Sequence, residues 1–274
     1  MDRFPSIVLA AAFGCFAISM LLSALYPWAI TDAKQPEASI ADVAANITEE
    51  FAELKRAYPV SFRQKLGDAA AAADAPLEAM QAAHAEALQR GRDLYIGEGC
   101  WHCHSQFVRP VANEEARFGH IRTPAEENNA LQRPVLWGTR RVGPDLTNEG
   151  GKRSNDWHVA HLHNPRSTSP GSVMPGYTWY FREGFQVFRR IDPNKAEVAG
   201  IDPDTAYPYP GLYDTEEEAR AALETIKANL DPTVAEEGDR LFVREAVGPD
   251  GDALCIIAYL QWLGTWFPEK PTEE

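Results

Sequence analysis

The order of apolar and polar positions divides the chain into three unequal parts, expected as an anchor at 1–33, a helical linker at 34–90 and a larger domain at 91–274. From Phe4 to Ile30 no charged residue interrupts the apolar run, which is long enough for the roughly 20 residues that cross a bilayer. Tyr26 and Trp28 stand at its far end, where aromatic side chains favour the membrane interface. Residues 35–90 are polar and alanine-rich. Their pattern predicts one helix near 40–57 and another from about Pro76 toward Gly91, with proline suited to a helix start. Arg92 to Cys103 reads as an amphipathic helix in which Leu94 and Tyr95 share an apolar face, with Gly91 and Gly99 small enough for close packing.

Residues 109–176 are poorly periodic and carry turn formers such as Gly143-Pro144 and Asn164-Pro165, the pattern of long loops. An acidic insertion at about 178–250 is expected to be helical, because Thr215 and Glu218 make a capping-box pattern ahead of Ala219, Ala222, Leu223 and Ile226. The apolar run ALCIIAYLQWLGTW predicts a last helix at about 252–264 that is too short to span a bilayer. The fold class expected is therefore mainly α: one transmembrane helix, then a compact domain with long loops and helical insertions.

Charge and cysteine content narrow the setting. The formal net charge of −14 argues against nucleic acid as a partner and suits basic ones. The apolar run is about twice the 7–15 residues of a signal-peptide core and lacks a small-x-small cleavage site, so it reads as an uncleaved anchor. Of the four cysteines, Cys15 lies in the anchor and Cys255 in the last apolar helix, which leaves Cys100 and Cys103 for chemistry.

Those two belong to Cys100-Trp101-His102-Cys103-His104, the C-x-x-C-H pattern that attaches a c-type haem. Two thiols at this spacing lie on adjacent turns and reach the two vinyl groups of one porphyrin, while the following imidazole reaches the iron. A zinc half-site or a dithiol redox pair does not require the following histidine, and a second cysteine pair to complete a zinc site is missing. The motif occurs once, so one covalent haem c is expected. Haem c is attached outside the bacterial cytoplasm, which puts the N-terminus inside and the domain after Thr31 in the periplasm, with Arg3 as a minor positive-inside cue.

His104 is then one axial ligand. The sixth position usually takes Met or His, and the chain has Met1, Met20, Met80 and Met174. The first two belong to the anchor and Met80 to the alanine-rich helix. Met174 sits in Ser-Val-Met-Pro-Gly-Tyr, where Pro175 and Gly176 turn the chain and present the thioether. His158, His161 and His163 are competitors, but no acidic residue stands at a matching spacing, and hydrogen bonding near the haem edge suits them better. A ligating imidazole needs an acceptor for its other N–H. The Pro144 carbonyl is the candidate for it, and Arg109, Arg140 and Arg141 are candidates for haem propionate contacts.

The blocks GRDLYIGEGCWHCHSQFVRP at 91–110, RFGH at 117–120, LWGTRRVGPDL at 136–146, NDWHVAHLHNPR at 155–166 and SVMPGY at 172–177, with AYLQWLGT at 258–265, closely resemble subunit II of cbb3-type cytochrome c oxidases. The resemblance implies a class I cytochrome c domain with His104 and Met174 as axial ligands. It also implies assembly in the bacterial inner membrane with a haem-copper catalytic subunit, a di-haem cytochrome c subunit and further small membrane subunits. The implied task is passing electrons towards haem b of the catalytic subunit, where oxygen is reduced and protons are pumped, so the chain by itself is not catalytic. Residues 35–90 and 178–250 are longer than the family pattern. The rival readings are the mono-haem c subunit of a nitric oxide reductase and, from another class, a haem-based sensor or assembly factor.

Overall fold

The computed structural model describes residues 4–34, 38–123, 126–190, 192, 202, 206–230 and 240–266. The first helical run comprises α1 (Phe4–Met20), a π-helical turn at Leu21–Leu25 and α2 (Tyr26–Lys34). Over Phe4–Ile30 it is 27 residues long with none buried, the one described helix long and apolar enough to cross a membrane. Ser23 Oγ donates to the Ser19 carbonyl at 2.5 Å beside the π turn, the kind of back-bonding that bends helices.

The linker folds into short helices. Residues 40–57 split into α3 (Ile40–Ala44) and α4 (Glu49–Ala57) because Thr48 restarts the chain as a helix cap, its side chain accepting from Phe51 N. α5 (Pro59–Leu66) and α6 (Asp68–Ala71) follow. Then α7 (Leu77–Gly97) begins directly after Pro76 and buries Ala83, His84, Ala87, Leu88, Gly91, Arg92 and Tyr95. That three-and-four spacing is one helix face.

The face meets the last helix, α13 (Gly251–Trp262), whose residues 253–262 are all buried. A helix apolar on every side belongs in a core. A Cβ placed on Gly91 would lie 2.1 Å from the Cys255 carbonyl oxygen and 2.6 Å from Tyr259 Cβ, so only glycine permits this approach. Asp250 caps α13 by accepting from Ala253 N at 2.8 Å, and Asp252 receives Arg90 Nη2 at 2.7 Å and Lys65 Nζ at 2.5 Å. Gly99 acts differently from Gly91: with φ 72° it breaks the expected helix in the left-handed region, so α8 (Cys100–Cys103) is a separate turn.

After α9 (Glu114–Phe118), α10 (Asn155–His163) and α11 (Pro165–Thr168), the segment expected as a helical insertion departs from that reading. It carries an antiparallel sheet of order β2-β1-β3, built from β1 (Phe181–Arg190), β2 (Ala206–Tyr213) and β3 (Leu241–Pro249), alongside the expected helix α12 (Glu216–Ala228). The molecule is thus a mixed α and β structure dominated by helix. Charged residues such as Glu183, Arg189, Arg190 and Arg244 on the strands dilute the alternation that marks a strand. Val187, Leu223 and Leu241 form the small core between sheet and helix. Parts of the insertion, at 191, 193–201, 203–205 and 231–239, lie outside the described residues.

The loop between α9 and α10 is held by a buried cation. Arg92 donates Nε to the Leu131 carbonyl and Nη2 to the Arg133 carbonyl, each at 2.8 Å. In the same loop Glu127 is 6% exposed, and both its carboxylate oxygens lack a hydrogen-bond partner among the described residues. Burial pushes this carboxyl up from 4.5 to about 7, against the pull of Arg122. The carboxyl is protonated in both states below pH 4.5. Between there and about 7 the unfolded chain ionises first, so stability falls as pH rises through that window, by about 3 kcal/mol. Glu127→Gln is expected to remove this loss: denaturant unfolding at pH 5 and pH 8 should show a smaller drop for the variant, which becomes the more stable protein at pH 8.

Candidate haem site

Two residues past the end of α7, Gly99 turns the chain so that α8 projects Cys100 and Cys103 from one helical turn. Both thiols are unpaired and partly buried. Cys100 borders the main core, and its sulfur lies 3.9 Å from Tyr177 Oη. Next in the chain, His104 is held from its backbone and from its ring. Tyr95 Oη donates to the His104 carbonyl at 2.5 Å, and His104 Nδ1 lies 3.0 Å from the Pro144 carbonyl oxygen.

A carbonyl only accepts, so this contact assigns the proton to Nδ1 and leaves the Nε2 lone pair for a ligand. Burial holds the imidazole below its ordinary pKa, against the Pro144 hydrogen bond and the field of Asp145. At neutral pH the ring is therefore uncharged and able to ligate. Gly143 makes room for it: a Cβ there would sit 2.2 Å from His104 Cε1.

The loop that carries Pro144 is clamped onto the motif. The amides of Thr139, Arg140 and Arg141 all converge on the His102 carbonyl at 3.2, 2.9 and 3.3 Å, and Gly143 N donates to Cys103 O at 3.1 Å. Behind it, the buried Asp145 carboxylate accepts from Ser105 Oγ at 2.5 Å, Phe107 N at 3.0 Å, Thr147 N at 2.9 Å and Thr147 Oγ1 at 2.5 Å. Arg141, at φ 51°, takes a left-handed conformation uncommon outside glycine. Its guanidinium is occupied by Glu114, with Nη2 2.8 Å from Oε2, and by Ser105 Oγ at 3.0 Å from Nε. That pairing holds the Glu114 carboxyl down to about 2. Of the three arginines considered for propionates, Arg141 is committed within the protein, whereas Arg109 and Arg140 have exposed side chains.

Met174 lies on the loop between α11 and β1. It is partly buried and packs against the same core cluster as Cys100, Trp101 and Leu94. Its loop is tied to the end of α10, where Tyr177 N donates to Leu162 O at 2.8 Å and a Cβ on Gly176 would come within 2.7 Å of His163 O.

The histidines of α10 do not gather into a metal site. Among the described residues no group of three or more His, Cys, Asp or Glu is placed to hold a metal ion. His161 stacks on Trp157 with ring centroids 4.4 Å apart and contacts Thr168 Oγ1 at 2.6 Å. His158 is buried, and burial with its charged neighbours pushes it down to about 4.

Two free thiols one turn apart and an imidazole whose Nδ1 faces a carbonyl fit a covalently attached haem, and the Met174 thioether packs on the same core cluster. Sequence reasoning missed Tyr95, Gly143 and Asp145 as supports of these groups. The Gly-Pro-Asp triplet was the available signal, because each of its residues serves the same loop.

Residues 74–267 match the protein family described as cytochrome C oxidase, mono-heme subunit/FixO. The comparison with curated proteins gave no match.

Asp145→Ala would leave the Phe107 and Thr147 amides and two hydroxyls buried without their acceptor. A loss of roughly 4 kcal/mol is expected, the lower end for four groups that cost about 1–3 kcal/mol each when unsatisfied, and urea unfolding of the purified protein measures it.

Proposed function

Because the chain belongs to the family of mono-haem subunits of cbb3-type cytochrome c oxidases, we propose that it relays single electrons through one covalently held haem c towards haem b of a haem-copper catalytic subunit. The observation that carries this reading is the placement of unpaired Cys100 and Cys103 beside a His104 ring whose Nδ1 faces the Pro144 carbonyl at 3.0 Å. A bound haem c supplies one iron that exchanges an electron without binding substrate. Everything else falls to the residues of the chain.

Cys100 and Cys103 would hold the haem through thioether bonds, and His104 Nε2 and Met174 Sδ would serve as its iron ligands. Two protein ligands would leave no open coordination site, and His/Met ligation would raise the potential, as suits a relay. Pro144 fixes the histidine tautomer. Arg109 and Arg140, with exposed side chains, are the arginines left for propionates. The fold that serves this task is a class I cytochrome c domain, in which α7 and α8 would carry the haem-binding motif and α13 packs behind them.

The apolar helix at Phe4–Ile30 anchors the subunit. Haem c attachment occurs outside the bacterial cytoplasm, so the N-terminus lies inside and the haem domain faces the periplasm. Oxygen reduction and proton pumping belong to the catalytic partner, and a di-haem cytochrome c subunit and small membrane subunits complete the assembly. The extra linker helices and the β2-β1-β3 sheet offer additional contact surface to those partners.

The test is spectroscopic. The ferric protein is expected to show a low-spin spectrum with a far-red sulfur-to-iron band that disappears in Met174→Ala, and the complex purified through a tag on this subunit is expected to contain copper. Survival of the band in the variant rejects Met174 as ligand, and non-haem iron in place of copper assigns the subunit to a nitric oxide reductase instead.

A further inference from the structure

Tyr177, Trp179 and Tyr180 form a cluster of rings between the Cys100 sulfur and solvent, and haem attachment makes no use of it. Tyr177 Oη lies 3.9 Å from Cys100 Sγ. The Tyr177 ring meets Trp179 edge-on with centroids 5.2 Å apart, and Tyr180 packs against both at 6.5 and 5.9 Å. Tyr177 and Tyr180 are buried, whereas Trp179 is 57% exposed.

An exposed tryptophan is ordinarily free to change rotamer, but this one is fixed. Its indole N–H donates to Glu98 Oε1 at 3.3 Å, and Tyr180 Oη donates to the same oxygen at 2.5 Å. Glu98 is the C-terminal cap of α7, two residues before Cys100. One carboxylate therefore ties the surface ring to the helix end that sets the haem cysteines. Tyr180 is held in addition through its carbonyl, which accepts from Asp250 N at 2.9 Å. A rigid, exposed aromatic ring with a polar edge is the residue type enriched at the centre of interfaces.

We propose that Trp179 is the docking point for a one-electron donor protein, and that the electron reaches the haem through Trp179, Tyr177 and the Cys100 sulfur. This rests on the reading of Cys100 as a haem thioether. The donor loses one electron and the ferric iron gains it. No bond is made or broken, no proton moves, and the rings bridge the gap without being oxidised. The donor that fits is a basic protein presenting the edge of its redox cofactor: Glu98 stands at the base of Trp179 and the chain carries a net charge of −14, which steers and orients a basic rim.

The experiment uses the assembled oxidase purified through this subunit, with a basic mono-haem cytochrome c as the probe. Peptide analysis first establishes haem on Cys100; its absence removes the functional reading itself, independently of Trp179. With haem present, Trp179→Leu is expected to weaken binding of the oxidised probe by about thirtyfold, the size typical of a lost aromatic anchor. It should also slow haem reduction by saturating reduced probe. Haem potential, spectrum and reduction by a small neutral phenylenediamine mediator should stay as in the parent protein, and Trp179→Phe should keep binding and rate within a few-fold. Parent-like binding in Trp179→Leu overturns the docking assignment. A parent-like rate at saturating probe overturns the route. A shifted potential, an equal slowing with the mediator, or a Trp179→Phe variant as impaired as Trp179→Leu overturns the role of the ring.

Discussion

The site depends on the contact of α7 with α13 at Gly91, where the Cys255 carbonyl and Tyr259 Cβ occupy the space any side chain would need. That approach fixes the end of α7, and with it the position from which Cys100 departs. The same α13 reaches the rest of the pocket through polar groups buried in an otherwise apolar helix. Tyr259 Oη donates to Gln106 Oε1 at 2.9 Å just past the motif, Gln261 Nε2 donates to Asn155 Oδ1 at 3.2 Å at the start of α10, and Trp262 Nε1 donates to Val43 O at 3.3 Å in the linker. Buried polar groups are costly unless satisfied, and satisfying these three through one helix gives the motif, the α10 arm and the linker a common reference.

Around that frame the donor set is held by backbone more than by side chains. The loop at 139–146 is pinned by amides donating to His102, Cys103 and Ser105 carbonyls, so the Pro144 carbonyl is aimed at His104 by a rigid strap. Asp145 and the Arg141–Glu114 pair lock the strap from behind. Oriented acceptors of this kind set the basicity and tautomer of a ligating histidine. The position of Met174 is governed separately, through the attachment of its loop to α10, which leaves its side of the site dependent on different contacts.

Several elements were legible in the sequence for physical reasons. The N-terminal apolar helix, the C-x-x-C-H turn and the final apolar helix are encoded locally, by composition or by short spacing, and α12 by the cap at Thr215, whose side chain accepts from Glu218 N at 3.2 Å. Thr48 is an equally local cap, yet alanine-rich periodicity across 40–57 masked it. The sheet was hidden because strand pairing between Phe181–Arg189 and Leu241–Pro249 joins residues far apart in the chain, and charged residues blur its alternation. Arg141 shows a further limit: its partner Glu114 is brought to it only by tertiary structure.

In the proposed site, Cys100 and Cys103 hold one haem beside His104. Mass spectrometry of the peptide spanning Cys100 to His104, from protein matured in a host that attaches haem c, tests it most directly. One haem bound through both cysteine sulfurs is the predicted result. Two unmodified thiols, or a disulfide between Cys100 and Cys103, would contradict the account.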